Sequence, residues 1–108
     1  MKIPLDKPFE YEDYNLTEID LDLDGKMSSK LKDRIDAEFR TKIKGEPVLV
    51  PWLDNRYRNI VAAKVTGIPE NVLRELPFKA YNTMHNTIEY FFAHSQEPSS
   101  EMPEELAD

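Results

Sequence analysis

Six consecutive residues, Asp20-Leu21-Asp22-Leu23-Asp24-Gly25, carry the spacing with which a calcium loop begins: carboxylates at positions one, three and five and a glycine at six. Such a loop closes its coordination sphere with a bidentate carboxylate at position twelve, and here that position is Leu31. The same aspartates also alternate with Ile19, Leu21 and Leu23, a period of two that describes a strand with one apolar and one solvated face. A solvated strand face ended by Gly25 is therefore preferred over a metal- or ligand-binding module built on Asp20, Asp22 and Asp24. Other reactive groups are sparse. His85 and His94 are the only histidines, nine apart in one helical pattern and so on opposite faces, which leaves no i, i+4 pair for zinc. His85 falls at the edge of an apolar arc and reads as a hydrogen-bonded core-edge histidine, the alternative being a general base. Lys64 lies by angle among apolar residues and reads as a stem on apolar surface with its ammonium in water, the alternative being an active-site lysine. Without cysteine there is no disulfide, thiolate metal site or thiol nucleophile. The serines and the three glycines form neither a nucleophile elbow nor a phosphate-cradling loop. The expectation is a protein with no catalytic residue, metal or cofactor.

The elements that would position these groups belong to a chain of 108 residues, enough for one domain burying roughly two thirds of its unfolded surface. No apolar run reaches signal-peptide or membrane-span length, so a cytoplasmic protein without membrane contact is expected. The formal charge of −7 is unevenly placed: residues 1–25 hold eight acids and two bases, residues 26–94 eight acids and twelve bases, and residues 95–108 five acids and no base. Within the middle segment, residues 26–44 carry seven bases against three acids. A mildly basic helix inside an acidic protein argues against general nucleic-acid binding, which needs clustered and uncompensated Lys and Arg. An acidic mimic of DNA is the weaker reading, because the acids imply no continuous surface.

The pattern predicts an α+β domain, mainly helical, over residues 1–94: an N-terminal β-hairpin, then three to four helices, with a disordered acidic tail over 95–108. Ile3-Pro4-Leu5 and Phe9-Glu10-Tyr11 around Pro8, and Leu16 to Leu23 after the polar turn at residues 12–15, form the hairpin. A helix follows from about Ser29 to Lys44, capped by Ser28 or Ser29 and stopped at Gly45. Its large apolar residues, Leu31, Ile35, Phe39 and Ile43, recur every four residues, making a slanting stripe one side chain wide. So narrow a stripe suggests a limb packing partly on something outside the domain, or else an ordinary surface helix. Residues 48–53 form an apolar connector, extended before Pro51. Asp54 caps a helix through about Val65 that buries Tyr57, Ile60, Val61 and Val65, with Gly67 left-handed beyond it. A short helix runs from Pro69 to Leu76, and a last one from Pro77 to about His94 buries Phe78, Tyr81, Met84, Ile88, Phe91 and Phe92. Tyr90 points the other way, as a contact residue or a plain surface tyrosine.

The order of these phrases resembles a known family. Leu5-Asp6-Lys7-Pro8 with Tyr11 in a first strand, a second strand leading into a helix, a helix ending in Thr66-Gly67-Ile68-Pro69, the turn Val72-Leu73-Arg74-Glu75-Leu76 and a final helix closing in Phe91-Phe92 resemble the small tail assembly chaperones of long-tailed bacteriophages. The resemblance spans roughly residues 3–92 and lies in order and spacing, no single phrase being diagnostic. It implies a non-enzymatic protein of the infected bacterial cytoplasm. Such a protein coats the long helical tape measure protein, keeps it soluble, and is displaced when tail tube subunits polymerise around it. It also implies self-association, and a longer frameshifted form that recruits the tail tube protein, this chain being the short form. The narrow stripe makes Leu31, Ile35, Phe39 and Ile43 the expected partner-binding or self-association surface. A structural head-tail adaptor shares the size and charge and is the other alternative.

Overall fold

The computed structural model describes residues 1–95. The chain opens with an antiparallel hairpin, β1 (Lys2–Tyr11) and β2 (Tyr14–Asp20), joined by Glu12-Asp13, where Glu12 takes a left-handed φ of 54°. The register pairs Ile3 with Ile19, Phe9 with Leu16 and Tyr11 with Tyr14, and is irregular between Pro4 and Phe9. Two prolines fall at that irregularity, and neither has an N–H to give to the ladder. The two segments read around Pro8 are thus one interrupted strand. Ile3 and Ile19 are buried in the core, with Leu5, Phe9 and Leu16 packed against it.

Beyond Asp20 the alternation continues inward, since Leu21 and Leu23 are both buried, but the backbone does not stay extended. Residues Leu23–Lys26 form a single helical turn, α1, whose N-cap Asp22 accepts the Gly25 N–H at 3.0 Å. This corrects the reading of a strand ended by Gly25. An aspartate at the head of a turn satisfies an otherwise orphaned N–H, and that local bond wins over the strand pattern.

Helix α2 (Ser29–Ile43) is capped by the Ser28 hydroxyl, which accepts from Leu31 N–H at 3.1 Å, and ends where Lys44 and Gly45 both take positive φ. A connector containing a 3-10 turn, Pro51–Leu53, leads to α3 (Asn55–Thr66). Asp54 caps α3, accepting from Arg56 N–H at 2.8 Å, and Gly67, at φ 78°, ends it by donating its N–H to the Ala63 carbonyl. The short α4 (Glu70–Leu73) and the long α5 (Phe78–Ser95) complete the bundle. The fold is α+β and mainly helical, a hairpin followed by helices.

The central element is α3. It contacts α2 on one side and α5 on another, and α5 in turn packs on β1. Tyr57, Ile60, Val61, Ala62 and Val65 of α3 share one core with Ile35 and Phe39 of α2 and Met84, Ile88 and Phe92 of α5. Phe78, expected in this core, is instead 80% exposed, and Ala80 is buried in the first turn of α5. On a helical wheel Phe78 falls about 20° beyond His85, the outer limit of the buried arc. The expected disordered tail lies outside the described residues, except that α5 runs through Ser95.

Candidate interaction surface

The stripe on α2 does not form a free face. Ile35 is fully buried and Phe39 nearly so, while Leu31 and Ile43 are half-buried and packed against the core. Ile35 and Phe39 are thereby withdrawn from any surface offered by the folded chain. Four side chains in single file suffice because α3 brings a reciprocal surface to them. The Phe39 ring meets the Tyr57 ring edge-on at 5.2 Å, and the Tyr57 hydroxyl donates to Asp36 Oδ1 at 2.7 Å. Burial, and then the bond to Asp36, raise the Tyr57 hydroxyl well above its ordinary pKa. Ion pairs flank the seam: Lys64 with Glu38 at 3.2 Å, and Lys42 with Glu70 of α4 at 2.9 Å. Lys64 is exposed and held by Glu38, so its ammonium reaches the surface as the snorkelling reading expects. These pairs cross a groove of about 530 Å³ among α2, α3 and α4, lined also by Ile68, Asn71 and Arg74.

A network that sequence reading missed lies between α3, α5 and the connector. Arg58 and Asn59 are buried on α3 beside His85 of α5. Arg58 donates Nε–H to His85 Nδ1 at 2.9 Å and an Nη1 proton to the Trp52 carbonyl at 2.7 Å, and Nη2 donates to Asn55 Oδ1. His85 Nε2 lies 3.1 Å from Asn59 Oδ1, and Asn59 Nδ2 donates to the Tyr81 hydroxyl at 3.1 Å. Because Nδ1 accepts from a guanidinium, the imidazole is neutral and carries its proton on Nε2. Burial first, and the nearby Arg58 charge second, lower the His85 pKa to about 4. The only carboxylate paired with Arg58 among the described residues is Glu89, at 3.7 Å. Every buried side-chain nitrogen and oxygen among the described residues has a partner. His85 is accordingly a hydrogen-bonded core histidine, and it is engaged on both ring nitrogens. The one available signal was the adjacent polar pair Arg58-Asn59 set between apolar Tyr57 and Ile60 in mid-helix.

This network fixes the connector, an apolar segment that carries exposed leucines. Pro47, Val48, Leu49, Val50, Pro51, Trp52 and Leu53 follow one another without a charge. At the two ends of that run stand Glu46 and Asp54, and Arg56 bridges both. Its Nη1 and Nη2 reach Glu46 at 3.2 and 2.9 Å, and its Nε and Nη2 reach Asp54 at 3.0 and 2.8 Å. Hydrogen bonds from Arg56 hold both carboxyls below their ordinary pKa. Trp52 anchors the far side, stacked on Phe92 with ring centroids 6.4 Å apart. Between these clamps Leu49 is 97% exposed and Leu53 55% exposed.

The aspartate segment does different work. Asp22 caps α1, and with Asp24 it borders a groove of about 420 Å³ between α1 and the last turns of α5, floored by Leu21, Leu23 and Phe91. Tyr90 is 64% exposed at that groove, its ring 3.7 Å from that of His94, so the two histidines do face opposite ways. No helix among the described residues is long and apolar enough to cross a membrane. Compared with models of protein families, with curated proteins and with solved structures, the chain finds no match.

Proposed function

We propose that this protein is a tail assembly chaperone of a long-tailed bacteriophage, a non-enzymatic protein that binds the helical tape measure protein and keeps it soluble in the host cytoplasm until tail tube subunits surround it. Support comes from the sequence phrases and from the elements that carry them. The Leu5-Asp6-Lys7-Pro8 phrase sits in β1, Thr66-Gly67-Ile68-Pro69 at the end of α3, Val72 to Leu76 at α4, and Phe91-Phe92 near the end of α5. In this reading the chain self-associates along its client, and the tail tube protein is reached through a longer form.

The observation that carries the site is Leu49, almost wholly in water at the crest of an apolar loop clipped at its base by Arg56. Single exposed leucines are common on protein surfaces. Seven uncharged residues held between two clamps are a different object, since their backbone freedom is already reduced and less ordering remains to oppose binding. Leu49 and Leu53 thus replace the α2 stripe as the client-binding side chains, aimed at the apolar face of a helical segment.

Co-expression with the tape measure protein encoded nearby tests both parts. The native chain is expected to carry the client into the soluble fraction as a complex. Leu49→Asp with Leu53→Asp should reduce recovery at least about tenfold, the loss of two apolar contacts of roughly 1–3 kcal/mol each. An insoluble client with no complex would sink the chaperone reading. Undiminished recovery with the double variant would move the site off the connector and leave the function standing.

A further inference from the structure

We propose that the outward face of α2 is the seat of the chain's own acidic carboxyl-terminal segment, residues 97–108. The proposal stands apart from the chaperone reading. Counting 100° per residue, Lys30, Arg34, Ala37 and Thr41 fall within about 60° of one another, opposite the buried Phe39, and Lys44 follows them at the left-handed C-cap. All five are exposed. Arg40, also exposed, lies beside them across Asp33, and Glu38, already paired with Lys64, borders the opposite edge. Among the described residues none of Lys30, Arg34, Arg40 and Lys44 makes an ion pair, whereas Lys32, Lys42 and Lys64 at the α2–α3 seam all do. Two small side chains in the middle of the stripe, Ala37 and Thr41, let another backbone come close between the basic ends.

The occupant follows from charge and reach. Residues 97–108 hold Glu97, Glu101, Glu104, Glu105 and Asp108 with no base. The hairpin would repel them, since Glu10, Glu12, Asp13, Glu18 and Asp20 are all exposed there. The segment departs from Ser95 at the end of α5, and one aromatic ring separates that end from the middle of α2. Phe92 lies 5.7 Å from Tyr57, and Tyr57 lies 5.2 Å from Phe39 of α2. Passing around a helix about 10 Å across lies within the span of 13 residues, which extends to roughly 40 Å. Tethering makes the encounter intramolecular, at an effective concentration of about millimolar, so weak pairwise attractions suffice. An acidic partner of α2 would first have to displace this segment.

Because the chain lacks cysteine, Ala37→Cys in the full-length protein gives a single attachment point for a nitroxide. In about 20 mM salt, where charges act over roughly 20 Å, the amide signals of residues 97–108 should lose more than about half their intensity. They should recover in about 0.5 M salt, and also when Lys30→Glu, Arg34→Glu and Lys44→Glu are combined. Salt changes no side chain, so that arm is immune to misfolding of the triple variant. Loss no greater than that from a nitroxide at Thr17→Cys on the hairpin would overturn the proposal. So would loss that survives high salt, or that arises only between a nitroxide-bearing chain and a separate isotope-labelled one.

Discussion

His85 is kept neutral by two arrangements that reinforce each other: enclosure between α3 and α5, and the Arg58 Nε–H directed at its Nδ1. A second proton there would meet a donor already in place and a fixed positive charge, so the folded chain refuses it until about pH 4. The unfolded chain has no such objection and takes the proton near its ordinary value of 6.5. Stability is therefore complete above about pH 6.5 and falls as pH drops toward 4, below which both states are protonated. The full difference is about 3 kcal/mol, of which about 2 kcal/mol accrues between pH 7 and 5. Urea denaturation at those two pH values should show the drop, and His85→Gln should remove most of it. Equal stability of the native protein at pH 7 and 5 would refute the neutral assignment. Of this network, sequence placed His85 at the core edge and identified neither Arg58 nor Asn59. Their partners are 26 and 27 residues away on another helix, and no linear period encodes that pairing.

At the level of elements, the helix boundaries follow local chemistry closely. Ser28, Asp54 and Gly67 act where their side chain or lack of one fits a helix end. What α2 packs on is a different matter. Its stripe reads as underanchored when counted alone, yet Tyr57 of α3 gives it an aromatic contact and a hydrogen bond to Asp36 in one side chain. Ile35→Ala should consequently cost about 2–5 kcal/mol, as expected for a large aliphatic side chain removed from a closed core. Leu49→Asp should change stability by no more than about 0.5 kcal/mol, because the native side chain touches little. Chemical denaturation of the two variants separates core from surface. A costly Leu49→Asp with a harmless Ile35→Ala would restore the stripe as the free face and remove the connector from consideration.

Over the whole molecule, one core runs from the hairpin through α2 and α3 to α5, with Ile3, Ile19, Ile35, Ile60, Met84 and Ile88 among its members. Trp52, the single tryptophan, joins it through Phe92 and reports on the connector, while far-ultraviolet dichroism reports on the helices. The two signals should follow the same thermal transition, as a cooperative domain of this size requires. Loss of the tryptophan signal well before the helices melt would mean that the connector opens by itself, and with it the rigid presentation of Leu49. The division of charge along the chain is likewise a property of the sequence: an acidic hairpin, a basic α2 and acidic residues 97–108 are set by composition. Sequence by itself determined the class of fold, the order of elements, most caps, and the inward sense of Leu21, Leu23, Met84, Ile88 and Phe92, because these depend on period and on contacts within a few residues. Tertiary structure alone decided that Ile35 and Phe39 are covered, that Phe78 is left in water, that Arg58 is buried against His85, and that Leu49 stands exposed on a loop clipped by Arg56. Each of those outcomes is settled by which surface another element brings to a side chain, and that depends on neighbours distant in sequence.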